Sequence, residues 1–410
     1  MTRGCIPTKA LVRAAEIAHD ARRAEEFGIR VGEVEVDFLA VMSRVRQVID
    51  DGSAFYEHLL TERGIDLVRE RARFVSPHEV DAGDMRVHFE RALIATGASA
   101  KRLGVPGADT VPTVTSDDLL SAAWTTLPGH LVCIGAGAVS LEFAQIYRRL
   151  GAQVTVVQRG EHLAHGEDDE LGDLLKGYLE EEGVRVLTGS AVERLELVDG
   201  RPAVVCAGGN RVVGDAILAA VGRAPNVTGL GLEELGIPFG ATGIETDAHL
   251  RTAVPSIWAV GDAHGRMLFT HVATYEAPLA IANMLDGAAQ VPDYRTIPRA
   301  IFTDPVLAAA GLTERQAREA GYEIEVRRSD VGTRGKARAI GDRRGRVKFV
   351  LDARTGVILG VGILARDGAD LLPGPQVAMN APGGTLAPLL ATVHTHPTIS
   401  EAVKVAARGG

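Results

Sequence analysis

Two stretches at opposite ends of the chain carry side chains that could handle thiols and protons. The first is Gly4-Cys5-Ile6-Pro7-Thr8-Lys9. Pro7 suits a first helical turn, which places Cys5 just ahead of a helix. The helix dipole and the unpaired N–H groups there favour a thiolate; the plainer reading is a small residue packed at a helix start. The second is His394-Thr395-His396-Pro397-Thr398-Ile399-Ser400-Glu401. A carboxylate such as Glu401 can orient the His396 imidazole, which can then exchange a proton with a thiol near neutral pH. Thr398-x-x-Glu401 ahead of an apolar helix is also a capping box, and Glu401 can play both parts. His394 reads as a bystander.

A third stretch points to a nucleotide. Gly135-Ala136-Gly137-Ala138-Val139-Ser140 follows the apolar run LVCI and opens the amphipathic run AVSLEFAQIYRRLG. In that setting Gly135 permits the tight turn and Gly137 lets backbone N–H groups approach a pyrophosphate. Ser140 replaces the third glycine and is small enough for helix–strand packing. Gly360-Val361-Gly362-Ile363-Leu364-Ala365 fits the same spacing but sits within a strand pattern, so it reads as core. The strand after the first match, QVTVVQ, ends on Gln158 and is followed by Arg159. A carboxylate there would bind the ribose 2′-OH of NAD. Neither residue repels a 2′-phosphate, and Arg159 could pair with one, so the expected cofactor leans to NADPH. Glu142, on the first turns of the same helix, is a candidate to lie near the nicotinamide. Asp262 ends the apolar run SIWAVGD, at the strand end where ligands of such sheets gather.

The elements that must position these groups are legible in outline. Helical periodicity covers about Pro7 to Ala24 and Asp37 to Arg63, followed by short strands and a Pro/Gly linker, LGVPGADTVP. From about Thr113 strands and helices alternate, with a helix from about Glu167 to Glu182 and a short antiparallel excursion. Near Ile244 the character shifts, and after VPDYRTIP an α+β pattern runs to the end. A chain of 410 residues with 46% hydrophobic residues has ample core for two or three domains, and 47 glycines with 4% aromatics suit many strand-to-helix turns. The net charge of −9 comes with no basic block for nucleic acid, and no apolar run spans a bilayer. With no such run and no charged-then-apolar leader, the cytoplasm is the expected location, and three cysteines do not make a disulfide scaffold. Cys133 and Cys206 lie in apolar runs and read as buried.

Taken in order, these segments resemble the FAD-dependent pyridine nucleotide–disulfide oxidoreductases, the family of dihydrolipoamide dehydrogenase, glutathione reductase and mercuric reductase. Gly4 to Lys9 resembles the second half of the redox-disulfide motif, which implies that Cys5 exchanges electrons with the flavin and that Lys9 lies beside its ring. Ala95-Thr96-Gly97 resembles the loop after the first FAD region. Thr252 to Asp262, including Gly261, resembles the second FAD fingerprint, whose Asp holds the ribityl chain. Gly222-Arg223-Ala224-Pro225-Asn226 resembles the turn closing the nicotinamide domain, and Phe302-Thr303-Asp304-Pro305 the opening of the dimerisation domain. His394 to Glu401 resembles the C-terminal base motif, in which the histidine serves the partner subunit of a homodimer.

The resemblance implies an α/β fold: two doubly wound, Rossmann-like nucleotide-binding domains, the FAD one incomplete, and a C-terminal α+β dimerisation domain. The implied division is 1–112 with 245–292 for FAD, 113–244 for NAD(P), and 293–410 for dimerisation. The family's own first strand and FAD glycine loop precede its cysteines, and its first redox cysteine would fall just upstream of Met1, so the sequence reads as truncated. The implied activity passes electrons between NAD(P)H, FAD and a small-molecule or protein-bound disulfide, in the manner of dihydrolipoamide dehydrogenase. Mercuric reductase carries a C-terminal cysteine pair and lacks the His-Pro base, whereas this sequence keeps His396. The alternatives are a mercuric-reductase-like enzyme, or a truncated nucleotide-binding, dimer-forming protein without turnover.

Overall fold

A computed structural model describes residues 3–409. Six helices bear on the site: α1 (Cys5–Arg22), α2 (Phe38–Glu62), α3 (Ala138–Leu150), α4 (Asp169–Glu181), α5 (Thr270–Asp286) and α6 (Glu401–Arg408). The chain divides into two compact units. One comprises 1–53, 102–221 and 295–410; the other comprises 54–101 and 222–294.

The first unit holds a four-stranded parallel sheet, β1 (His130–Ile134), β2 (Gln153–Val157), β3 (Arg185–Leu187) and β4 (Ala216–Ala219), in the order β4-β1-β2-β3. Parallel strands covered on both faces need continuous apolar runs, and HLVCI and QVTVV supply them. Cys133 lies in β1, fully buried, and burial pushes its thiol up to about 12, so it is chemically quiet, as its apolar run implied. Cys206 is equally buried, at the end of an antiparallel strand in the excursion 192–213. Helix α3 returns from β1 to β2, and Gly151 ends it at φ 120, a left-handed value that favours glycine. Its Leu141, Phe143, Ile146, Tyr147 and Leu150 are buried, each large side chain worth roughly 1.5–3 kcal/mol of transfer free energy.

Helix α1 packs on α3. It starts at Cys5, two residues earlier than the sequence pattern suggests, because Gly4 takes φ 73 and makes the entry turn itself. It stops at Arg22, and residues 24–27 tighten into a 3₁₀ turn closed by Gly28.

The rest of this unit is an antiparallel sheet of β5 (Pro298–Ile301), β6 (Val306–Gly311), β7 (Ile324–Asp330), β8 (Arg346–Asp352) and β9 (Ile358–Ala365), ordered β5-β6-β9-β8-β7. Gly360 and Gly362 sit inside β9, as expected for core. A Cβ at Gly360 would come within 1.9 Å of the Leu312 carbonyl oxygen, and one at Gly362 within 2.6 Å of Leu171.

In the second unit the strands Ala92–Ile94 and Ile257–Ala259 pair in parallel. Among the described residues this sheet has only those two strands. Leu250, Trp258, Val260 and Ala280, the last from α5, form the small core behind it.

Candidate functional site

The turn from β1 into α3 has the form a pyrophosphate needs. Gly135 adopts φ 101, and a Cβ there would lie 2.5 Å from the Ala220 carbonyl oxygen, so no other residue fits without strain. Gly137 is the N-cap of α3, makes no side-chain cap, and a Cβ on it would point into open space. The N–H groups of the first turn of α3 are therefore approachable by a phosphate. Ser140 is fully buried and donates its hydroxyl to the Gly135 carbonyl at 2.6 Å, so it braces the turn from within. Gly135→Ala should lower stability by about 1–3 kcal/mol, read as a shift in urea midpoint, because it adds a clash to a left-handed backbone. A midpoint within error of the parent would show that the turn relaxes freely.

At the end of β2, Gln158 donates its side-chain amide to the His162 carbonyl at 3.3 Å. Arg159 is exposed and has no ion pair among the described residues. The edge where a ribose would lie thus presents an amide and an uncommitted guanidinium rather than a carboxylate.

The structure joins two residues that the sequence treats apart. Lys9, in the second turn of α1, reaches Glu142 on α3 at 2.6 Å. Glu142 is buried and also accepts the Phe302 amide at 2.9 Å. The Lys9 ammonium lies 4.1 Å from the centre of the Phe302 ring. Phe302 was legible only as part of a domain-opening motif. Its place here, closing over the ion pair, comes from the tertiary packing of β5 on α3. Cys5 is exposed, one helical turn before Lys9, and Thr8 secures that turn by donating amide and hydroxyl to the Gly4 carbonyl.

In the second unit, Thr96 and Gly97 are tied to the Gly222–Asn226 turn. Thr96 donates its hydroxyl to the Asn226 carbonyl at 2.7 Å, Asn226 returns its side-chain amide to the Thr96 carbonyl at 2.9 Å, and the Asn226 amide donates to Gly97. Gly222 has φ 112 and accepts the Lys101 amide. Asp262 follows Gly261 in a short 3₁₀ turn and is half-buried; burial pushes its carboxyl above the usual range, while Arg223 pulls it back. A half-buried carboxyl beside a strand end suits a ligand hydroxyl.

Glu276 on α5 is a residue the sequence reading missed. It is fully buried, and it accepts from the Gly261 amide at 2.6 Å, from His264 at 2.9 Å and from the Tyr294 hydroxyl at 2.7 Å. Burial pushes its carboxyl up, but those donors outweigh it and hold it below the usual range. It therefore fixes the turn that carries Asp262. The available signal was a lone carboxylate among small and apolar residues in THVATYEAPLAIANML.

His396 and Glu401 meet as expected. His396 Nδ1 is 3.0 Å from Glu401 Oε1, and the Thr398 amide donates to Oε2 at 3.2 Å. A carboxylate only accepts, so Nδ1 carries the proton and Nε2 is left as a base. The His396 side chain is 76% exposed. The His396 ring and the Thr398 amide hold the Glu401 carboxyl below the usual carboxylate range. The capping box is only half formed. Helix α6 starts at Glu401 with Ser400 as N-cap, and the Thr398 hydroxyl goes to the Thr395 carbonyl instead of the Glu401 amide.

The pyridine nucleotide-disulphide oxidoreductase signature matches residues 1–277, and the dimerisation domain of the same enzymes matches residues 297–407. The chain belongs to that family. It is 35% identical over 411 residues to dihydrolipoyl dehydrogenase of Thermus scotoductus, covering 98% of this chain and 88% of that protein. It is 32% identical over 409 residues to mercuric reductase of Bacillus cereus, covering 98% of this chain but 64% of that protein. The solved structure of the HOCl-induced flavoprotein disulfide reductase RclA from Escherichia coli superposes with a TM-score of 0.86 at 29% identity, covering 98% of this chain and 88% of that one. Members of the pyridine nucleotide-disulphide oxidoreductase family are flavoenzymes that use FAD and NAD(P)H, and this chain is an oxidoreductase of that class. Its doubly wound α/β architecture and C-terminal dimerisation domain agree with the expected fold. No described helix is long and apolar enough to cross a membrane.

Proposed function

We propose that the protein is a dihydrolipoamide-dehydrogenase-like disulfide reductase, working as a cytoplasmic homodimer on a small-molecule or protein-bound disulfide. The observation that carries this reading is the His396–Glu401 pair. Thiol–disulfide exchange needs the attacking thiol deprotonated and the departing one protonated. His396 Nε2 is an exposed base on a ring whose other nitrogen is held by a carboxylate, which is the arrangement for both transfers.

The remaining roles are part of the same proposal. Gly135, Gly137 and Ser140 form the cradle for the pyrophosphate of NAD(P)H. Thr96, Gly97, Gly222, Gly261 and Asp262 are the proposed FAD contacts of their unit. When bound, FAD supplies a two-electron relay between nicotinamide and thiol. Cys5 is the sulfur that exchanges electrons with the flavin: held in a disulfide with a substrate sulfur, it takes the two electrons as the S–S bond breaks, leaving the Cys5 thiolate and the substrate thiol, and the Lys9 ammonium, paired with Glu142, lies one turn beyond it. Glu142 anchors that charge between α1 and α3. The three-domain division 1–112 with 245–292, 113–244, and 293–410 is part of this proposal.

NADPH is the expected donor, from Gln158 and Arg159. Gln158→Glu should move the kcat/KM ratio toward NADH by roughly tenfold or more, since hydrogen bonds to a charged group contribute about 1.5–3 kcal/mol. A strong NADH preference before mutation would show Arg159 to be a surface residue only. The function itself is tested by turnover of lipoamide, glutathione disulfide and Hg(II) by the FAD-loaded protein. Disulfide turnover with Hg(II) inert supports the reading. Hg(II) reduction without disulfide turnover moves it to the mercuric-reductase-like alternative.

A further inference from the structure

His394, two residues before the proposed base, is wired to it. Its Nδ1 lies 3.3 Å from Ser400 Oγ, and Ser400 Oγ lies 2.7 Å from Thr398 Oγ1. Thr398 Oγ1 lies 2.7 Å from the Thr395 carbonyl oxygen. The carbonyl can only accept, so Thr398 spends its one hydroxyl proton there. Ser400 must then donate to Thr398, and Ser400 can only accept from His394. The direction of the chain is fixed from one end: His394 Nδ1 carries a proton and donates it.

The other ring nitrogen points the same way. His394 Nε2 is shut off from solvent and has no hydrogen-bond partner among the described residues. A proton on it would be a buried donor with nothing to bond, which again places the ring hydrogen on Nδ1. The chain ends on the residue that matters to Glu401. With its hydroxyl pinned on both sides, Thr398 presents its backbone N–H to Glu401 Oε2, which leaves Oε1 for His396.

We infer that His394 is a positioning residue for the His396–Glu401 pair, acting through the hydroxyls of Ser400 and Thr398. The inference rests on the proposed role of His396. The charged groups around the pair are His396 and Glu401 themselves, Arg334, and Lys404, whose ammonium is bonded to the Thr392 carbonyl. None of these replaces the His394–Ser400 link.

The test uses the FAD-loaded holoenzyme with His394→Ala, His394→Asn and Ser400→Ala. An asparagine amide can donate close to where Nδ1 does; alanine cannot. His394→Ala and Ser400→Ala should each slow the disulfide half-reaction about tenfold, within the range expected when a positioned group is loosened. The double variant should be no slower than either single one, because both break one chain. His394→Asn should recover to within about threefold of the parent. Amide hydrogen exchange in the segment 395–402 should speed up in His394→Ala and return in His394→Asn. Flavin reduction by NADPH should not change in any of them. Equal loss in the Asn and Ala variants, or additive loss in the double variant, overturns the inference. If His396→Ala itself leaves the disulfide half-reaction intact, the reading of His396 fails instead, and the exchange measurement still reports on the His394 link.

Discussion

His396→Ala should slow the disulfide half-reaction by about 10²–10⁴ while leaving reduction by NAD(P)H untouched. The two half-reactions use different parts of the chain. In the proposed assignment the pyrophosphate of NAD(P)H sits at the glycine turn ahead of α3, whereas His396 lies in the turn leading into α6. Loss of the imidazole removes the only exposed base that the structure pairs with a carboxylate in this motif. Glu401→Gln should lose less, since an amide oxygen can still accept from Nδ1 although it carries no charge. Rapid mixing separates the two steps. Equal slowing of both in His396→Ala would mean that the histidine supports the fold and not the proton transfer.

The second large effect concerns stability. Arg149 is 4% exposed and bridges Glu182 at 2.6 Å and Asp304 at 2.8 Å. Arg344 completes the cluster, reaching Asp304 and Asp342 at 2.9 Å each. Arg149→Ala leaves buried carboxylates short of a partner and should cost about 3–5 kcal/mol. Urea unfolding measures it, and a loss under about 1 kcal/mol would show that Arg344 or water takes over fully. The same cluster sets an acid limit. Burial pushes the Asp304 carboxyl up, but Arg344 and Arg149 outweigh it and hold it below the usual range. A carboxyl depressed in the folded state stabilises fully above its unfolded value, near pH 4, and that stability is lost as the pH falls through the folded value. Stability of Arg149→Ala should therefore depend less on pH below about 4 than that of the parent.

What the sequence revealed and what it hid have separate physical causes. The β1–α3 turn was legible because its signal is local: an apolar strand, two glycines and an amphipathic helix lie within the 21 residues from His130 to Leu150. Gly360–Gly362 has the same spacing, but no helix pattern follows it, and it lies inside strand β9. His396 and Glu401 were legible for the same reason, being five residues apart. The Lys9–Glu142–Phe302 contact spans almost 300 residues of chain, and only tertiary packing reveals it. Glu276 was invisible because one carboxylate in a small-residue helix resembles any surface position until the burial is known. His394 looked idle because its hydroxyl relay depends on the turn geometry ahead of α6. The capping box failed at Thr398 because the nearby Thr395 carbonyl competes for the same hydroxyl.

The central claim is that electrons pass from NAD(P)H to a disulfide through a flavin held by this fold. Anaerobic stopped-flow on the FAD-loaded enzyme tests it most directly. NADPH should bleach the oxidised-flavin absorbance, and a disulfide such as lipoamide added in a second mix should restore it within the turnover time. Bleaching that only oxygen reverses, with every disulfide inert, would contradict the account.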